Sequence, residues 1–118
     1  MTLRLGNVVI DCEHPTEVAR FWSAALALPV DDGASEFFVS LGSDEPGPTM
    51  FLIKVPEPKT TKNRLHLDLL ADDRANEIER LVGLGATHVA DKHEWGHSWA
   101  VLRDPEGNEF CVAESPQP

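Results

Sequence analysis

The chain has 118 residues, with 20 acidic and 10 basic side chains and a formal net charge of −10. That length fits one compact domain and leaves little room for a separate substrate domain, while the acidic balance opposes binding to nucleic-acid phosphates or to an anionic membrane surface. The two cysteines, Cys12 and Cys111, are too few for a disulfide framework and are expected as thiols.

Residues 1–6 contain no apolar run of secretion-signal length and no stretch of the chain approaches a membrane span, so a cytoplasmic location is the expectation. Leu5 to Cys12 reads as a strand carrying Val8, Val9 and Ile10. Pro15 suits the first turn of a helix, where its missing N–H is no loss, and Val18, Phe21, Trp22, Ala25 and Leu26 then follow at the spacing of one apolar helix face. Pro29 ends that helix. Glu36–Leu41 and Met50–Val55 read as two further strands, separated by the turn-rich stretch from Gly42 to Pro48.

A polar connector, Pro56 to Asn63, precedes a second series. Leu65–Leu70 reads as a strand. Asp72 or Asp73 is placed to cap a helix in which Ala75, Ile78, Leu81, Val82 and Gly85 share a face, with Gly85 supplying its left-handed ending. Thr87–Lys92, Ser98–Arg103 and Glu109–Ala113 complete the strands, the last two joined by the turn Asp104-Pro105-Glu106-Gly107-Asn108.

The order of elements recurs, and so do residues at an offset of 59. Asn7-Val8-Val9-Ile10 answers to His66-Leu67-Asp68-Leu69, Glu45-Pro46 to Asp104-Pro105, and Phe51-Leu52-Ile53 to Phe110-Cys111-Val112. Each copy is too small to bury a core alone, so residues 1–118 are expected as one domain of two modules, about 1–59 and 60–118. Alternation then divides the strands between two faces. Val8, Ile10, Phe51, Ile53, Leu67, Leu69, Phe110 and Val112 are expected beneath the helices. Asn7, Val9, Asp11, Met50, Leu52, Lys54, His66, Asp68, Leu70, Glu109, Cys111 and Ala113 form a mixed opposite face, which either meets water or curls round a cavity.

The paired modules, the Leu65–Leu69 strand before the second helix, Leu84-Gly85-Ala86 after it, and the run Leu102-Arg103-Asp104-Pro105-Glu106-Gly107-Asn108-Glu109-Phe110 resemble the vicinal-oxygen-chelate superfamily, in particular its short bacterial glyoxalase-like and bleomycin-resistance-like members. The resemblance covers essentially the whole chain. It implies an α+β fold of two βαβββ modules whose mixed sheet curls around a cleft, and it implies a homodimer. It also implies metal-ligand places on the first and last strands of the modules, which fall here at Asn7, near Leu52, at His66 and at Cys111. Leu52 offers no donor, Asn7 only an amide oxygen and Cys111 a soft thiolate, so no conventional catalytic metal is expected and no cofactor is assigned. A divalent metal ion held by His66 and Cys111, joined by Asp68 on the same face, is the alternative.

Individual signals keep two readings each. His66 suits either a hydrogen-bonded structural role or contact with a ligand. Asp11 and Asp68 suit solvated carboxylates or a coupled acid pair. His93-Glu94-Trp95-Gly96-His97 has the residue pattern of a zinc protease helix, but it lies between two predicted strands with Gly96 inside it and reads as a hairpin. Phe21 and Trp22 belong to a core stripe. Phe37 and Phe38 suit either a cavity wall or the core, while Trp95 and Trp99 fall on hairpins that would wall the cavity.

The ligand-binding candidates are therefore Asn7, Leu52, His66, Asp68, Trp95, Trp99 and Cys111, with no catalytic residue assigned. The leading expectation is a protein that binds a small organic molecule in the cleft, without nucleic acid or membrane as a partner. A metal-dependent lyase or dioxygenase built on His66, and a non-catalytic interaction domain that kept the fold, are the other readings.

Overall fold

Residues 2–114 are described in the computed structural model of the chain. The chain divides into two compact units, the division falling between residues 58 and 59, within the proline-rich connector. The first contains β1 (Asn7–Cys12), α1 (Pro15–Leu26), β2 (Phe38–Leu41) and β3 (Thr49–Lys54). The second contains β4 (Leu67–Ala71), α2 (Arg74–Leu84), β5 (Thr87–Glu94), β6 (His97–Arg103) and β7 (Glu109–Glu114). Both follow one plan: the first strand pairs in parallel with the last, and the remaining strands add antiparallel, giving the orders β1-β3-β2 and β4-β7-β6-β5. In the first unit the counterpart of β5 is reduced to a single bridge, Val30 to Leu41.

The helices begin and end where local chemistry dictates. Pro15 opens α1, and the carbonyl of His14 accepts from the N–H groups of Glu17 and Val18 at 3.1 Å each. Val18, Phe21 and Trp22 are buried on its inner face, the two rings meeting edge to face at 5.2 Å. Asp73 caps α2, its carboxylate accepting from the Asn76 N–H at 3.1 Å, and Gly85 ends the helix at φ 122°. The apolar face expected of α2 is narrower in the structure: Leu81 is buried, whereas Val82 is 45% exposed.

Register decides which residues face the helices. In the second unit Leu67 pairs with Phe110 and Leu69 with Val112, as the alternation requires, and Ala100, Leu102, Phe110 and Val112 are buried. In the first unit Val8 pairs with Met50 and Ile10 with Leu52. The face buried with α1 is therefore made of Cys12, Val39, Leu41, Met50 and Leu52. Phe51 and Ile53, expected there, lie half-buried on the opposite face beside Phe38 and Ser40. The expected assignment of Met50 and Leu52 to the open face is thus corrected.

The cause is a one-residue difference between the copies. Paired residues of the first and last strands lie 42 positions apart in the first unit and 43 in the second, so a constant offset of 59 carries the wrong phase onto β3. A shift of one residue reverses every side chain of a strand. Phe51, not Leu52, is the structural counterpart of Cys111.

Candidate binding site on the second sheet

One face of β4-β7-β6-β5 packs against α2, while the other carries the site. Pairing places Asp68, Cys111 and Val101 in one row across the strands and Leu70, Ala113, Trp99 and Lys92 in the next. A groove of about 870 Å³ lies over this face, with Trp99, Val101 and Ala113 among its apolar lining and His66, Asp68, Lys92, Glu94 and Cys111 among its polar lining. Of the sequence candidates, His66, Asp68, Trp95, Trp99 and Cys111 all line it. Asn7 is exposed at the start of β1 in the first unit, and Leu52, 0% exposed among the residues packed against α1, cannot reach an open face. Lys62, Lys92, Glu94 and Val101 also line the groove. Alternation outward from Trp99 would have found Val101, and the β5–β6 pairing, which sets Lys92 opposite Trp99, was hidden by the bulge between His88 and Ala90.

The run that carries the family resemblance shapes this face. Asp104, 2% exposed, accepts hydrogen bonds at Oδ1 from the N–H groups of Glu106 (2.9 Å) and Asn108 (3.0 Å), and at Oδ2 from the Asn108 amide (3.0 Å). Gly107 completes the turn at φ 90°, a backbone conformation that glycine adopts without a side-chain penalty. Immediately beyond it, Glu109 receives Lys59 at 3.1 Å and the Asn63 N–H at 3.1 Å. Those bonds outweigh burial, which alone would raise the Glu109 carboxyl, and hold it below its ordinary value. The connector is thereby tied to the head of β7, so that His66 emerges beside Cys111.

His66, Asp68 and Cys111 converge there. His66 Nδ1 lies 3.3 Å from Asp68 Oδ1 and 3.9 Å from Cys111 Sγ. Cys111 is 8% exposed, and burial followed by the nearby Asp68 carboxylate pushes its thiol above the ordinary value, against only a small opposing effect of Lys62. Because the same imidazole nitrogen faces both partners, the three do not form a relay in which the ring takes a proton from sulfur and passes charge to the carboxylate. The thiol is protonated at neutral pH and is a poor nucleophile as it stands. Of the four places implied by the resemblance, His66 and Cys111 lie together in the second unit, while β3 presents Phe51 as the structural counterpart of Cys111.

Residues 93–97 form the tip of the β5–β6 hairpin. Trp95 and Gly96 take φ values of 52° and 79°, the left-handed pair of a two-residue turn. Trp95 is 88% exposed, His97 lines the groove, and His93 Nδ1 instead meets Ser98 Oγ at 2.6 Å. The two histidines of the protease-like pattern are thus on facing strands, not on one helix face. Phe37 and Phe38 are also outside the core, at 61% and 37% exposed.

The chain belongs to the glyoxalase-like domain family, whose sequence profile matches residues 7–113. No curated protein matches it in sequence. Among solved structures it is similar to a glyoxalase/bleomycin resistance protein/dioxygenase family enzyme from Burkholderia phytofirmans, with a TM-score of 0.78 and 17% identity over 95% of this chain and 98% of that one. A glyoxalase/bleomycin resistance protein from Albidiferax ferrireducens gives 0.70 and 19% over 95% and 98%, and a lactoylglutathione lyase from Agrobacterium tumefaciens 0.65 and 18% over 95% and 93%. Identities at this level establish a shared fold, which hosts more than one chemistry. Among the described residues, no helix is long and apolar enough to cross a membrane.

Proposed function

We propose that the protein binds a small organic molecule, with a flat apolar part, on the open face of the second sheet. The observation that carries this reading is the groove itself: its volume of about 870 Å³ suits a small ligand, and Trp99, Val101 and Ala113 offer apolar surface beside a limited set of polar groups. Trp95 supplies a second ring at the hairpin tip. Cationic and anionic side chains both line the groove, so the acidic net charge of the chain does not dictate the charge of the ligand. The similar structures include a glyoxalase/bleomycin resistance protein and a lactoylglutathione lyase, which supports a small-molecule partner. Action as a homodimer, which rests on the family resemblance, in the cytoplasm, the location expected from the sequence, completes the proposal.

A panel of bicyclic aromatic compounds, screened by tryptophan fluorescence, tests the reading. Binding is expected to perturb emission, and Trp99→Ala is expected to weaken it about tenfold or more, equivalent to about 1.4 kcal/mol. Binders whose affinity is unchanged in Trp99→Ala would place the ligand elsewhere and reject the proposed face.

A further inference from the structure

We propose that Trp95, at the tip of the β5–β6 hairpin, closes over the groove as the upper jaw of a clamp whose floor is Trp99, and so restricts the site to ligands that are planar on both faces. The role rests on the small-ligand reading above. Trp95 breaks a local rule with no packing to offset it. A two-residue hairpin turn with both central residues left-handed favours Asn-Gly, and Gly96, at φ 79°, meets the second preference. The first position holds a bulky aromatic residue at φ 52°, where such residues are rare. Ala27 is the other non-glycine residue with positive φ among those described, and the left-handed end of α1 accounts for it, its N–H bonding to the Ser23 carbonyl. Trp95 has no comparable explanation within the fold, because its ring is 88% exposed. Strain that the fold itself does not use points to a ligand, and Trp95 and Trp99 line the same groove.

The hairpin is free to bend at this end. Pairing of β6 with β7 begins at Trp99–Ala113, whereas β6 and β5 stay paired through His93–Ser98 to Glu94–His97. Residues 93–98 therefore project past the third strand as a two-stranded ribbon, the arrangement that twists most and is least stable alone. Trp99 stands at the root of the ribbon, on the part of β6 that has a neighbour on each side. Within the ribbon, His93 Nδ1 and Ser98 Oγ lie 2.6 Å apart, so the two strands are tied together and move as one piece. A Cβ placed on Gly96 would meet nothing within 4 Å, which leaves the tip open space.

Contact on both faces is what such a clamp selects. Carbon atoms attract best at about 3.5–4.0 Å, and a gap of about 0.5–1 Å forfeits about a quarter to a half of each contact. A fused aromatic pair is one carbon layer thick and meets both indoles at that distance. A ring saturated to CH2 groups is puckered and holds one indole away.

Calorimetric titration of the full chain with β-naphthol and with its tetrahydro analogue, in which the ring lacking the hydroxyl is saturated, tests the clamp. The parent is expected to bind β-naphthol about three- to tenfold more tightly, the range of one aromatic stacking contact, although burial alone would favour the more apolar saturated compound. Trp95→Asn is expected to lose that preference and to release β-naphthol faster by a similar factor, while still binding it through Trp99. Without ligand, the same substitution should raise the melting temperature by about 2–4 °C, because asparagine suits the left-handed turn position. Trp95→Phe, which keeps a flat ring, should retain the preference and show no such rise. A preference that Trp95→Asn leaves unaltered, in a protein whose β-naphthol affinity still falls in Trp99→Ala, would overturn the clamp and leave the small-ligand reading standing. A lower melting temperature for Trp95→Asn would show that the indole supports the hairpin, and no saturable uptake of β-naphthol would show that there is nothing for it to close on; either overturns the clamp. Affinity for β-naphthol unchanged in both Trp95→Asn and Trp99→Ala would reject the groove face itself.

Discussion

The register of β3 makes a quantitative prediction about two adjacent residues. Leu52 is 0% exposed and faces α1, whereas Ile53 is half-buried on the opposite face. Leu52→Ala removes three buried carbons and leaves a cavity, at a cost of about 2–5 kcal/mol. Ile53→Ala removes a side chain that already keeps part of its surface in water, at a cost of about 1 kcal/mol. With a urea dependence of roughly 1.5 kcal/mol/M, a loss of about 3 kcal/mol lowers the unfolding midpoint by about 2 M, against less than about 1 M for Ile53→Ala. Circular dichroism through a urea series measures both. A larger shift for Ile53→Ala than for Leu52→Ala would reinstate the opposite assignment of faces and refute the one-residue difference between the modules.

Two more predictions concern the frame around the site. Asp104→Ala strands the Glu106 and Asn108 N–H groups in a half-buried turn and should cost about 2–4 kcal/mol, with Asp104→Asn milder because it keeps an acceptor; equal stability of Asp104→Ala and the parent by calorimetry would show that the turn does not depend on this carboxylate. The pH dependence has two limbs. Glu109 titrates below its ordinary value of 4.5 when folded, so its contribution is complete above about pH 4.5 and is lost as pH falls through the depressed value; Glu109→Gln should flatten that acid limb of the urea midpoint. Cys111 keeps its proton when folded beyond 9.0, where the unfolded thiol has begun to lose it, so stability falls as pH rises above about 9 and Cys111→Ser should remove that loss; an unchanged alkaline limb would contradict it.

Much of this arrangement was legible because punctuation and polarity agreed. Pro15, Asp73, Gly85 and the Asp104–Asn108 run mark element ends by mechanisms that operate locally, and the structure follows them. On β7 and from His66 into β4, polar His66, Asp68, Glu109 and Cys111 alternate with apolar neighbours, so the phase of each strand is written in the residues themselves. Met50-Phe51-Leu52-Ile53 is apolar at every position and carries no phase. Its face had to be borrowed from the other module, and the one-residue difference between copies inverted it. The grouping of Asp68 with His66 and Cys111 came through the resemblance and the shared face, and the parallel register of β4 and β7 adds that Asp68 and Cys111 sit directly side by side. The hairpin tip was correctly separated from a zinc-protease helix because Gly96 and the flanking strand patterns outweighed the spacing of two histidines.

The most direct test of the central claim, that the open face of the second sheet is the ligand site, is amide chemical-shift mapping of the full chain on titration with a compound found in the aromatic screen. Saturable shifts concentrated at His66, Asp68, Trp99, Val101 and Cys111 are predicted, with the amides of β2 and β3 unmoved. Shifts confined to the first unit, with those residues silent, would contradict it.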